Sequence, residues 1–124
     1  MDILLALVVW GKSEFALAQI LVTQRLTEAE ITTQLATLSD WQRQDQSLTM
    51  THRFSGFVEA MNFAQCLVEP AEQLGHHPDL EISYNTVRLT LTTHDAGGLT
   101  SLDFQLAQQI DQVLAEWTSE SVCR

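Results

Sequence analysis

The sequence predicts an α+β domain: a four-stranded antiparallel sheet with three helices packed on one face. Three observations predict it. Hydrophobic periodicity runs along the chain in the order helix, two strands, helix, two strands, helix. Each pair of strands is joined by a short turn, which implies antiparallel pairing with the helices gathered on one side. The chain has 124 residues, 45% of them apolar, which is the length of one ordinary domain with enough material for a core.

The first helix opens at Thr27-Glu28-Ala29-Glu30, a capping box in which Thr27 covers the free amides and Glu30 reaches back. Ile31, Leu35 and Leu38 follow at i, i+4 and i+7, so the helix is expected to end near Ser39–Asp40. Trp41 starts a short strand, and a turn follows around residues 45–47. Leu48, Met50, His52 and Phe54 then alternate with Thr49, Thr51 and Arg53, the period of a strand with one face inward. Ser55 is the expected cap of a second helix, whose apolar stripe runs Phe57, Met61, Ala64, Val68 and Ala71, widened by Ala60, Leu67 and Leu74. Pro70 falls inside it and predicts a kink, because proline removes one backbone bond at a cost of about 3 kcal/mol in a helix interior. Gly75 supplies a left-handed C-cap and Pro78 blocks continuation.

Leu80, Ile82 and Tyr84 alternate with Glu81 and Ser83, a turn is expected at Asn85–Thr86, and Val87, Leu89 and Leu91 alternate with Arg88, Thr90 and Thr92. Continued to the strand end, this alternation turns His94 away from the apolar face. After the loop Ala96-Gly97-Gly98, Thr100 caps the last helix with Asp103 in its first turn, and Leu102, Leu106, Ile110, Val113 and Trp117 form the expected buried stripe. The domain is thus expected over residues 26–118, with a tail at 119–124. Residues 1–25 read as an extension, either an added helix or a loosely attached segment. Its apolar run at 3–10 is too short to span a bilayer, and only Asp2 precedes it where a secretory signal would be basic.

The formal net charge is −10, with only six Lys plus Arg, which repels phosphate backbones and argues against nucleic-acid binding. Cys66 and Cys123 are the two cysteines; they form neither a disulfide framework nor a CxxC metal pair, and a reducing, cytoplasmic compartment is expected.

Half of the four histidines sit in Glu72-Gln73-Leu74-Gly75-His76-His77-Pro78-Asp79. Three readings are open. As a metal site, adjacent histidines rarely reach one ion with good geometry, and HExxH is absent, so no metal is expected. As punctuation, Gly75 and Pro78 merely stop a helix and the imidazoles fill the turn. As acid–base groups, imidazoles with an unperturbed pKa of about 6.5 are accessible in both protonation states near neutrality, given carboxylates to orient them. Each companion has a plain reading too. Asp103 completes a capping box with Thr100, Glu72 is a solvated helix residue, Tyr84 belongs to the core, and His52 is a partly buried histidine with a local partner.

Taken together, Glu72, His76-His77-Pro78, Tyr84, His94 and Asp103, with gaps of three, five, nine and eight residues, resemble the signature of the pterin-4a-carbinolamine dehydratase family. The resemblance extends over about residues 27–117 and takes in Trp41; Pro70 departs from the ordinary helix formers of the family at that turn. It implies the same α+β fold, assembly as homodimers or homotetramers, a pterin substrate and no cofactor, metal or membrane. The implied reaction is dehydration of a 4a-hydroxytetrahydropterin to the quinonoid dihydropterin in tetrahydrobiopterin regeneration. By matching position, His76 and His94 are implied as the proton-transfer pair and His77 as a pterin-binding catalytic residue. Glu72 and Asp103 orient histidines or bind the ring, and Pro78 stiffens the turn. Members of the family also serve as partner-binding or assembly factors, so a non-catalytic role on the same fold is the alternative. A metal-dependent hydrolase is the third.

Overall fold

The computed structural model describes residues 23–123. The predicted extension over residues 1–25 therefore lies almost wholly outside the described residues. The elements are α1 (Glu28–Leu35), β1 (Gln42–Gln44), β2 (Ser47–Arg53), α2 (Phe57–Cys66), α3 (Val68–Leu74), β3 (Asp79–Ser83), β4 (Thr86–Leu91), a 3-10 turn (His94–Ala96) and α4 (Ser101–Ala115). The fold is the expected α+β type, with a four-stranded antiparallel sheet in the order β1-β2-β4-β3. The second predicted helix is the interrupted pair α2–α3.

The strand alternation reads directly into the sheet. Leu48 pairs with Leu91, Met50 with Leu89 and His52 with Val87. Leu48, Met50, Val87, Leu89 and Leu91 are buried in one cluster with Ile31, Phe63, Phe104, Leu106 and Ile110 from the helices. Thr51, Arg53 and Arg88, of opposite parity, are exposed. His52 is half-buried at the end of the inward row, its ring 4.6 Å from that of Phe54.

Both capping boxes form. Thr27 N donates to Glu30 Oε1 at 2.9 Å while Glu30 N donates to Thr27 Oγ1 at 3.2 Å. The α1 helix stops at Leu35, four residues before the expected end, and Leu38 reaches the core from the following turn. Trp41 is buried just ahead of β1 and its indole Nε1 donates to Asp111 Oδ1 at 2.8 Å, tying the sheet edge to α4.

Several expectations are corrected. The cap of α2 is Gly56; Ser55 instead bonds the Glu59 carboxylate through both its amide and its hydroxyl. The buried face of α2–α3 is Ala60, Phe63, Leu67 and Ala71, while Phe57, Met61 and Val68 are exposed. The helix rolls this way because Phe63 enters an aromatic cluster, 5.0 Å from Phe54 and 5.5 Å from Trp117 between ring centroids. In α4 the fully buried residues are Asp103, Phe104, Leu106, Ala107 and Ile110; Leu102 and Val113 are only partly covered, as is Trp117, which lies just beyond the helix end. Tyr84 is not core: it sits 68% exposed, with φ 51°, in a turn with Asn85, and Thr86 already belongs to β4.

The kink expected at Pro70 appears as a break at Leu67, three residues upstream. That offset places Pro70 in the first turn of α3, where a backbone amide has no intrahelical acceptor and its loss costs little. The cysteine reading is also overturned. Cys66, at the break, is joined to Cys123 in a disulfide with Cα atoms 4.9 Å apart. The two are 57 residues apart and carry no spacing pattern, so only the tertiary fold brings them together. The bond holds the C-terminal tail beside a cavity of about 460 Å³ bordered by Pro70, Gln73, Val113 and Trp117.

Candidate active site

The end of α3 delivers the histidines. Gly75 adopts φ 60° and ψ 31°, the left-handed conformation a C-terminal cap requires. Its amide donates to the Glu72 carbonyl at 3.2 Å, and the His76 amide reaches back to the Ala71 carbonyl at 3.0 Å. This pair of bonds is a Schellman closure, which pins the backbone of His76 to the helix before its side chain makes any contact. Pro78 then directs the chain into β3.

The two imidazoles part at this point. His76 turns inward, is 9% exposed, and places Nε2 2.6 Å from Oδ1 of Asp103, which is wholly buried. His77 turns outward and its Nε2 meets the exposed carboxylate of Glu72. His77, Glu72, Pro78 and Leu80 border a cavity of about 200 Å³ that Leu67 and Ala71 also line. Among the described residues, no group of three His, Cys, Asp or Glu side chains is arranged to hold a metal ion.

Asp103 is the centre of the buried network. Its Oδ2 accepts from the Thr100 amide at 2.9 Å, which closes the capping box, and from Thr93 Oγ1 at 2.8 Å. Its Oδ1 is thereby left to His76. The capping reading of Asp103 is borne out through Oδ2, and its other oxygen meets His76. A buried carboxylate with both oxygens hydrogen-bonded is the kind of charged group a protein interior tolerates.

His94 follows Thr93 directly and opens the 3-10 turn. It is exposed, as the strand parity predicts, and bonds neither Asp103 nor Glu72. The loop carrying it is closed by a bridge between Thr93 and Gly98. A Cβ at Gly98 would lie 2.7 Å from Gln46 Oε1 and 2.9 Å from Arg25 Nε, so a larger residue there would make those two flexible side chains shift. Tyr84, the remaining signature residue, stands in the exposed β3–β4 turn.

Sequence reasoning missed Thr93. The signal was present: Thr93 continues the inward parity of Val87, Leu89 and Leu91, and a polar side chain on that row needs a buried partner.

Compared with known proteins, residues 24–113 match the family model described as pterin 4 alpha carbinolamine dehydratase. A protein of Nostoc punctiforme called "Putative pterin-4-alpha-carbinolamine dehydratase" is 53% identical over 92 residues, covering 74% of this chain and 99% of its own. A Chloroflexus aurantiacus protein of the same name is 50% identical over 90 residues, covering 73% and 97%. The crystal structure of a transcriptional coactivator/pterin dehydratase from Brucella melitensis superposes with a TM-score of 0.69 at 36% identity, covering 73% of this chain and 98% of its own.

Proposed function

Because the chain belongs to the pterin 4 alpha carbinolamine dehydratase family, we propose that it is a lyase that dehydrates a 4a-hydroxytetrahydropterin to the quinonoid dihydropterin and water. The observation that carries the reading is the buried His76–Asp103 couple, bonded by Thr93, the residue that directly precedes the exposed His94.

The reaction breaks the C4a–O bond and the N5–H bond and forms a C4a=N5 double bond. One acid must protonate the departing hydroxide and one base must take the N5 proton. In this reading His76 and His94 fill these two roles. Asp103, accepting from Nε2, keeps the proton on that nitrogen and leaves Nδ1 as the basic atom of His76. Water then returns the two histidines to their starting protonation states. His77, steadied by Glu72 and placed by Pro78, contributes to the pterin-binding wall of the site. General acid–base catalysis of this kind supplies about 10²–10⁴-fold.

The test is the decay of freshly generated 4a-hydroxytetrahydropterin with the wild-type protein and with His76→Ala and His94→Ala. Acceleration by the wild type that disappears in both variants is the expected result. Decay at the spontaneous rate with correctly folded wild-type protein would overturn the proposal and favour a non-catalytic, partner-binding role.

A further inference from the structure

Thr93 is buried, hydrogen-bonded through its side chain to the residue that holds His76, and joined through its backbone to His94. We propose that Thr93 is a positioning residue for both halves of the histidine pair, its hydroxyl setting the Asp103 carboxylate that aims His76 and its backbone anchoring the loop that carries His94. The inference rests on the dehydratase reading and deepens it.

Leu102 N donates to Thr100 Oγ1 at 3.3 Å, and the Thr100 and Thr93 hydroxyls lie 2.8 Å apart. Thr93 has a single hydroxyl proton, and it goes to Asp103 Oδ2. The Thr100 hydroxyl must therefore donate to Thr93. Every donor in the chain points the same way and ends on Oδ2. The terminal torsion of an aspartate is soft, so the carboxylate plane is set by whatever its oxygens bond. The Thr93 hydroxyl and the Thr100 amide together load Oδ2 and turn Oδ1 toward His76.

The backbone of Thr93 holds the loop independently of its hydroxyl. Thr93 N donates to the Gly98 carbonyl and Gly98 N donates back, each at 3.3 Å, while Ala96 N also donates to the Thr93 carbonyl at 3.1 Å. These bonds close the loop from residue 93 to 98 at its base. His94 leaves from that anchored residue. A threonine that merely satisfied itself in a core would need only the Thr100 hydroxyl.

The test is Thr93→Val, which keeps the shape and removes the donor, beside Thr93→Ser, which keeps the donor. Thr93→Val should lower kcat by about 10-fold, a part of the full acid–base contribution, with KM near the wild-type value and Thr93→Ser restoring the rate. The imidazole ¹⁵N signals of His76 should report one tautomer, protonated at Nε2, in the wild type and Thr93→Ser, and a mixture in Thr93→Val. A merely structural threonine would not move that ratio. Should Thr93→Val fail to fold, Thr93→Cys, close in size with a weak donor, should give intermediate values for both readouts. Wild-type kcat and an unchanged His76 tautomer in the variant lacking the hydroxyl would overturn the inference while leaving the dehydratase reading intact. A wild type that does not accelerate the reaction sinks the dehydratase reading, and with it the catalytic part of this inference.

Discussion

His76 and Asp103 stand 27 residues apart in the sequence and 2.6 Å apart in the fold, with the carboxylate wholly buried and the imidazole nearly so. The two ends of this contact are held by different devices. A Schellman closure fixes His76 and a capping box fixes Asp103. Ordinary helix-end chemistry thus makes the contact rigid, as the proton-transfer role proposed for His76 would require, because both backbones are immobilised before the side chains meet.

Asp103→Asn tests the direction of that bond. The amide must present its NH₂ at one of the two former oxygens. At Oδ2 it would face the Thr100 amide, a donor that cannot turn away. The NH₂ therefore faces His76, which forces Nε2 to accept and moves the ring proton to Nδ1. The expected outcome is a loss of kcat within the 10²–10⁴-fold range of acid–base catalysis, with stability lower by about 1–3 kcal/mol from the disturbed buried network. The dehydration assay and urea unfolding measure the two effects. A variant with wild-type kcat would show that the tautomer is not controlled from Asp103.

Pro70→Ala is expected to be nearly silent. An interior proline costs about 3 kcal/mol, so its removal from the middle of a helix should stabilise by that order. In the first turn of α3 the missing amide would have had no helical partner. Alanine there frees the unfolded chain and should destabilise by about 0.4–1 kcal/mol. A urea midpoint that rises strongly would refute the assignment of the helix break to Leu67.

How much of this was legible in the sequence depends on the range of the interaction. The strands were readable because Leu48, Met50, Val87, Leu89 and Leu91 share one parity and all turn inward. The capping boxes were readable because they close within three residues. The roll of α2 was not, because Phe57-Met61-Val68 and Ala60-Phe63-Leu67 are both apolar rows, and the choice was made by Phe54 and Trp117 from elsewhere in the chain. Within the site, the spacing of Glu72, His76, His77, His94 and Asp103 was visible, whereas the opposite directions of His76 and His77 follow from their tertiary partners. The disulfide had no sequence signal at all.

Cys66–Cys123 should contribute measurably to stability. The enclosed loop of 57 residues gives about 4 kcal/mol in the chain-entropy model, which real proteins often fall short of. Cys123→Ser should therefore lower stability by about 2–4 kcal/mol. It should also release the tail from the Trp117 cavity, changing the tryptophan emission. Because Cys66 lies at the α2–α3 break and not at the histidine turn, kcat should change little. Equal stability of the oxidised protein and the Cys123→Ser variant would count against the bond.

Glu59 gives the fold an acid limb. The Ser55 hydroxyl, then the Trp117 indole, hydrogen-bond its carboxylate and lower its pKa below the ordinary glutamate value of 4.5. The sign follows from proton counting. Between the folded and unfolded pKa values the unfolded chain holds more protons, so unfolding free energy rises with pH across that window. The contribution is present in full above the unfolded pKa and is lost as the pH falls through the folded one. Glu59→Gln keeps an acceptor for Trp117 but removes the titration. Urea midpoints measured from about pH 3 to pH 6 should fall more steeply on acidification in the wild type than in the variant, the two curves running parallel above about pH 5. Identical slopes across the acid range would mean that the Ser55–Glu59–Trp117 contact does not persist in solution, leaving Trp117 held at this end of α2 by its packing on Phe54 and Phe63.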